Sequence, residues 1–386
     1  MQTNQAIKSI GTESAFAVLA QANALRAKGQ NVISLAIGAP DFPTPDNIVR
    51  AAQKALEEGH HFYTPTKGLE ALRAAIAQDL KARRGYNVDL EHILVAPGAK
   101  PIMTFAMQMF GEAGADILYP DPGFPIYRSM IEFSGARAVP VPMRAAHGLS
   151  FDPAELLSLI TPRTRLIILN SPGNPTGGVV TRTSMDQLAE GLKAWPDIPI
   201  LADEIYSRLL YDGAAHVSCL DYPHLRDRTI LLDGWSKTYS MTGWRLGYGI
   251  WPKSLIDYAE RLQVNSASCA SAPVQMAGIE ALLGPQDGAE TMHAAFESRR
   301  KILVDALNSL PGFTCPMPKG AFYAFPNIEG TGRSADDLQQ HLLLNAGVAT
   351  VSGTSFGIYG EGHIRFSYAC APEVMETAVE RIRAVL

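Results

Sequence analysis

The chain has 386 residues, 47% of them hydrophobic and 18% charged, with a formal net charge of −5. That length exceeds the roughly 250–300 residues that one hydrophobic core serves, so two domains are expected. Ordinary globular composition excludes disordered and fibrous classes, and mild acidity without a long run of one sign offers nothing to nucleic acid or an anionic membrane.

In chain order, the first twenty-one residues carry only a short, broken apolar stretch. No later segment supplies about 18 uninterrupted apolar residues, so a soluble, unexported, cytoplasmic protein is expected. A helical pattern is followed by NVISLAIG, an extended piece before Pro40 that is expected to pack with the C-terminal part. HILVAP reads as a strand and Pro101 to Phe110 as a helix; DILYP reads as a strand and Gly123 to Phe133 as helical. RLIILN is a nearly solid apolar strand, Ser184 to Trp195 has helical periodicity, and IPILAD and TILLDG are further strands. RLGYGIW alternates less cleanly. This alternation predicts an α/β fold: a mainly parallel sheet sandwiched by helices, over residues 42–285. Beyond it, a long helical pattern from Gly288 to Leu310 and the strands GAFYAF, VATVS and HIRFSYA predict a smaller α+β domain, built from 286–386 together with 1–41. Cys219, Cys269, Cys315 and Cys370 lie far apart without CxxC spacing and read as free buried thiols; no metal site is expected.

Open parallel sheets bind ligands beyond the carboxyl ends of their strands. Three such ends here run into polar residues: RLIILN into SPGNPTGG, IPILAD into EIY, and TILLDG into WSKTYSMTGWR. An isolated lysine is usually a surface residue. Lys237, however, is followed eight positions later by Arg245, and a lysine beside a second cation suits both Schiff-base chemistry and phosphate binding. Asp203 ends a buried strand, where a carboxylate needs a partner or a proton; it is either a helix N-cap or the partner of a ring nitrogen. Tyr206 is either a core tyrosine or a hydrogen-bond partner in the site, and Glu204 reads as a rim residue. Asn174, in NPTGG, marks a turn and can also donate to a ligand oxygen. Gly98, Ala99 and Lys100 join a strand to a helix near Pro101, a place where backbone amides meet anions. Arg365, flanked by apolar residues in HIRFSYA, is either a buried ion-pair partner or a carboxylate clamp.

NSPGNPTGG, ADEIY, GWSKTYSMTGWRLGY and HIRFSYA, preceded by AIGAPDFPTP and FYTPTKGLEALR, occur in that order. Together they resemble the class I/II aminotransferases, the fold-type I pyridoxal-phosphate family of aspartate, alanine and aromatic aminotransferases, from about Val32 to the end. The resemblance implies that Lys237 forms a Schiff base with pyridoxal 5'-phosphate and shuttles the α-proton. It implies that Asp203 pairs with the pyridine nitrogen, and that Tyr206 and Asn174 hold the phenolic oxygen. Arg245, Ser236 and the Gly98–Lys100 turn match the phosphate site, and Phe124 the ring that stacks on the cofactor. Tyr63 matches a tyrosine that reaches the neighbouring subunit, so a homodimer is implied. Arg365 matches the arginine on the substrate α-carboxylate, helped by Gly38 and Asn174. Two residues depart from the common pattern: Trp235 is unusually large and faces either the pocket or the core, and Gly234 replaces a serine found in some members.

The expected reaction is ping-pong transfer of an amino group from an α-amino acid to an α-keto acid. A carbon–sulfur β-lyase of the same fold is the alternative. A cofactor-binding regulator with a DNA-binding segment is disfavoured, because only about thirty residues precede the first motif. A nicotinamide dehydrogenase lacks its GxGxxG turn. The donor is not legible. A dicarboxylate would need a second cation, for which Lys67, Lys100 and Arg144 are available; an apolar side chain would need a pocket of residues such as Phe124, Trp235 and Phe322.

Overall fold

The computed structural model of the chain describes residues 1–386, except the side chains of residues 5 and 9. Its centre is an eight-stranded sheet. After the short β1 (Ile33–Ser34) come β2 (Ile93–Ala96), β3 (Asp116–Asp121), β4 (Arg137–Arg144), β5 (Ser150–Phe151), β6 (Thr164–Asn170), β7 (Ile200–Asp203), β8 (Thr229–Gly234) and β9 (Gly247–Ile250). The spatial order is β2-β9-β8-β7-β6-β3-β4-β5. Pairing is parallel from β8 through β7, β6 and β3 to β4; β9 and β5 run against their neighbours.

Strand side chains alternate between two buried faces, as a sheet covered on both sides requires. Leu166, Ile168, Leu201, Ile230 and Leu232 join the core beneath the helices Lys100–Phe110 and Ile126–Phe133. Ile167, Leu169, Ile200 and Ala202 point the other way, toward the helix Arg182–Gly191. Leu231, Ile93 and Val95 meet Trp235 and the helices Glu70–Arg84 and Ala272–Leu283. This double burial explains why these strands read as apolar runs. β4 did not, because RAVPVPMR carries Pro140 and Pro142. The strand tolerates them because its far side pairs only at Met143 and Arg144, leaving the rest of that side without a ladder.

Registers place the polar strand ends together. Asn170, the last residue of β6, lies opposite Asp203, the last of β7, and Asp203 lies opposite Leu232 near the end of β8. The helix expected from Gly123 starts instead at Ile126. That expected from Ser184 to Trp195 runs from Arg182 to Gly191 and closes with a short 3₁₀ turn.

Smaller sheets gather the remaining strands: β10 (Tyr323–Ala324), β11 (Val348–Ala349), β12 (Val351–Ser352) and β13 (Ile364–Ser367). β13 lies between β10 and β12, and β1 pairs in parallel with β11. The N-terminal extended piece thus joins the C-terminal part across more than 300 residues of sequence, Ile33 opposite Val348. Among the described residues, no helix is long and apolar enough to cross a membrane.

Trp235 belongs to the core rather than the pocket. It is 1% exposed, donates its indole N–H to Gly278 O at 3.1 Å, and meets Tyr248 edge-on at 5.5 Å. Trp235→Ala is therefore expected to lower stability by about 3–5 kcal/mol, read as a shift of the denaturant midpoint.

Candidate active site

The carboxyl ends of β6, β7 and β8 open into a cavity of about 500 Å³, within the range of small-molecule sites. Lys100, Phe124, Asn174, Asp203, Tyr206, Ser236, Lys237, Arg245, Gly38 and Arg365 all line it, together with Ala99. Tyr63 does not; its side chain is 88% exposed on the surface of the chain.

Lys237 stands three residues beyond β8 and donates its Nζ to Gly38 O at 2.6 Å. Its side chain is half-buried, touching the cavity while the surrounding protein replaces water around the amine. That desolvation lowers its pKa to about 8; Glu13 pulls it back up, and the charges of Arg365, Arg245 and Lys100 push it down further. About a tenth of the amine is then neutral at pH 7, far more than for an ordinary lysine, which makes it a usable nucleophile and base.

Asp203 is 4% exposed. Its carboxylate accepts from Tyr127 OH at 2.6 Å and from the Ile205 amide at 3.2 Å, both neutral donors. Burial without a cation raises its pKa to about 6. Such a carboxylate fits a protonated ring nitrogen placed in the cavity. The next residue is not on the rim, as expected from sequence, but 3% exposed. Glu204 is ion-paired with Arg84, accepts from Ser218 Oγ at 2.5 Å, and lies 2.8 Å from His216 Nε2, close enough for charge pairing although not aligned as a hydrogen bond. Burial pushes its pKa up, but His216 and Arg84 outweigh that and hold it at about 2. Glu204 is an anchor behind the site.

Asn174 and Arg365 come together although 191 residues separate them: Arg365 Nη1 donates to Asn174 Oδ1 at 2.8 Å. Arg365 Nη2 donates to Ala36 O, and the guanidinium lies 4.6 Å from the centre of the Tyr323 ring and 4.8 Å from that of Phe356. Nε is buried without a partner, one free donor of a planar fork that matches a carboxylate. Burial also lowers the guanidinium pKa. Gly38 contributes through its carbonyl, and it has to be glycine, since a Cβ would sit 2.1 Å from Tyr323 OH.

At the other end, Arg245 has φ +57°, a strained conformation for a residue with a side chain. It folds its guanidinium over Gly98, φ +91°, where a Cβ would lie 2.2 Å from Nη2. The Gly98 amide is used by Ala96 O. The next amides belong to the start of the helix Lys100–Phe110 and have no acceptor within it, which leaves them free for an anion. Lys100 supplies one of those backbone amides. Its side chain is ion-paired with Glu13 and lies 5.5 Å from the Phe124 ring centre.

The other two lysine and arginine candidates for a second substrate cation stand away from the cavity, each already paired: Lys67 with Glu91, and Arg144 with Glu155 at 2.7 Å. Phe322 is fully buried behind Tyr206, ring centres 5.5 Å apart, rather than on the wall. Sequence reasoning missed Tyr127, Tyr323, Asn170 and Glu13. Tyr127 lies three residues beyond Phe124, its amide bonded to Phe124 O at 3.0 Å, and could have been found by that spacing. Tyr323, whose OH is 2.7 Å from Tyr206 OH, had no signal beyond its place in an apolar strand. Asn170 donates to Asp203 O at 3.1 Å and accepts the Asn174 amide at 3.1 Å, locking the two strand ends.

The sequence model of the family described as aminotransferase class I and II matches residues 30–382. The chain belongs to that family. It is 38% identical to an aspartate aminotransferase of Geobacillus stearothermophilus over 99% of this chain and 98% of that protein. An aspartate/prephenate aminotransferase of Cereibacter sphaeroides is 37% identical, covering 96% and 94%. Among solved structures, an aspartate aminotransferase from Rhizobium meliloti superposes with a TM-score of 0.95 at 34% identity, covering 100% of this chain and 98% of that one. An aromatic aminotransferase from Pyrococcus horikoshii gives 0.89 at 37% identity, covering 94% and 98%. Amino-group transfer is the activity these relatives support, in preference to the β-lyase alternative.

The Asp203 charge carries a pH signature in protein stripped of any bound cofactor. Its folded pKa of about 6 lies above the ordinary value of 3.8, so the folded chain holds a proton that the unfolded chain releases between these values. The carboxyl thus costs stability that grows from about pH 4 to 6 and is fully present above. Asp203→Asn is expected to be more stable than the parent by about 1–3 kcal/mol at pH 8, and nearly equal to it at pH 4, in urea unfolding.

Proposed function

We propose that the cavity holds pyridoxal 5'-phosphate and that Lys237 performs the proton transfers of amino-group exchange. The observation that carries this is one cavity containing both a desolvated amine and a buried carboxylate whose protein partners are all neutral. When bound, the cofactor supplies an aldehyde for the amine and a ring that accepts electrons from the substrate Cα–H bond.

The chain's own residues supply the rest. Asp203 would pair with a protonated ring nitrogen, which would give its buried carboxylate the cation it lacks. Tyr206 and Asn174 would hold the ring's phenolic oxygen, and Phe124 its face. Arg245, Ser236 and the amides after Gly98 take the phosphate. Arg365, steadied by Asn174, would bind the α-carboxylate of the amino acid and fix the orientation of its Cα–H bond, so that Lys237 Nζ could receive the α-proton and give it back. Release of a keto acid before a second one enters makes the kinetics ping-pong.

We extend this reading to a homodimer in the cytoplasm. Tyr63 and its neighbour Phe62 are 88% and 82% exposed, which suits a role in a partner subunit's site. All four cysteines are free, as a reducing compartment favours. We divide the chain into a large domain, 42–285, and a small one from 1–41 and 286–386, a division supported by the pairing of β1 with β11.

Lys237→Ala is expected to abolish transfer and to lose the yellow absorbance of the loaded protein, while the parent bleaches when given an amino acid without keto acid. Near-parental turnover in that variant would remove Lys237 from the mechanism. Arg365→Ala is expected to lower kcat/KM for every amino acid by roughly 10- to 100-fold, chiefly through KM. An unchanged KM across a donor panel would exclude it from the carboxylate site.

A further inference from the structure

Four cations line the cavity: Lys100, Lys237, Arg245 and Arg365. On the reading above three have assigned work: Lys237 in proton transfer, Arg245 at the phosphate, and Arg365 at the α-carboxylate. Lys100 is the cation left over for a second carboxylate on the donor's side chain. It is not available as it stands. Glu13, the N-cap of the helix Ser14–Ala27, reaches across the cavity wall and ion-pairs with it. The Glu13 side chain is 17% exposed, whereas that of Lys100 is 47% exposed. The acid is therefore the more enclosed member, held against the cavity. Its negative charge is felt by Lys237, Arg365 and Tyr323 alike, which places it within reach of the substrate space. The cavity lining also includes the uncharged residues Ala15, Phe16, Ile37, Met103, Phe124 and Phe356.

We propose that Glu13 is a specificity-determining residue that neutralises Lys100 and so turns this aminotransferase toward amino acids with an uncharged, apolar or aromatic side chain and away from dicarboxylic ones. The proposal rests on the aminotransferase reading given above. A distal carboxylate could use Lys100 only by displacing Glu13 or by lying beside it. The first course breaks an ion pair, and the second places like charges together in a partly desolvated space. Apolar side chains meet no such opposition and gain by burial against the surrounding wall. Selection thus comes from a repulsive element, with no new attraction required.

The test measures kcat/KM for aspartate, glutamate, phenylalanine and leucine with the holoenzyme, in the parent, Glu13→Gln and Glu13→Gln/Lys100→Met. The parent is expected to favour phenylalanine or leucine. Glu13→Gln is expected to raise the aspartate-to-phenylalanine ratio by roughly 10- to 100-fold, with most of the change in the aspartate arm. The double variant is expected to lose that gain, which identifies Lys100 as the cation released. A parent that already prefers aspartate, or a ratio that moves less than about two-fold in Glu13→Gln, would overturn the assignment of Glu13 while leaving the aminotransferase reading intact. Failure of every donor to transfer its amino group in the parent would overturn that reading and this proposal with it.

Discussion

A carboxylate buried without a cation is the constraint around which the site is arranged. Asp203 ends β7 with only a phenol and an amide for partners. Left alone it opposes folding at neutral pH, because burial disfavours the charged form. The fold accepts that opposition at the place where three strand ends meet. It then braces the position from behind: Glu204, one residue on, is held by Arg84, Ser218 and His216. Adjacent residues thus have opposite electrostatic fates, the Asp203 pKa raised to about 6 and that of Glu204 held at about 2. One carboxylate is paired with cations inside the protein and fastens the strand end; the other has only neutral partners.

The same division between anchored and available groups runs around the cavity. Arg365 spends one Nη on Asn174 and the other on Ala36 O, yet keeps Nε free. Its guanidinium is thus held in one orientation by protein contacts alone. The segment around Gly38 is fixed by this contact, by Lys237 Nζ on Gly38 O, and by Tyr323 lying where a side chain on Gly38 would be. β1, which leads into that segment, is in turn paired with β11. N-terminal backbone, C-terminal strands and the central sheet therefore meet at one point, and the cavity exists only when all three are in place.

Much of this was legible in the sequence because the central strands are buried on both faces. A run such as RLIILN or TILLDG has no solvent face, so its apolar length and polar ending stand out together. The strand end at Asp203 follows from that pattern, and Lys237 stands three residues beyond another such end; that Asn174 and Arg365 serve one place was implied by the resemblance alone, and the two side chains meet. β4 was hidden by its prolines, which are tolerated only because most of its outer side has no ladder. The small-domain strands are two to four residues long, too short for periodicity to speak. Glu204 was misjudged because its partners, Arg84, His216 and Ser218, are recruited from distant segments. Trp235 could face either way until β8 fixed which side its successors take.

Lys100 shows most directly what spacing cannot reveal. At the start of a helix beside a glycine turn it reads as part of an anion site, and its backbone amide does lie at that helix start. Its side chain leaves in another direction and finds Glu13, 87 residues earlier in the chain. Nothing in GTESAF announces that contact, since a glutamate before a helix is ordinarily a solvated cap. The pairing matters because charge in a partly enclosed space acts by difference: the same lysine is an attraction for a distal carboxylate when bare and a neutral wall when capped. Machinery for the common chemistry can therefore be shared with relatives that bear several substrate names, while one acidic residue contributed by the N-terminal segment decides which side chains that machinery admits.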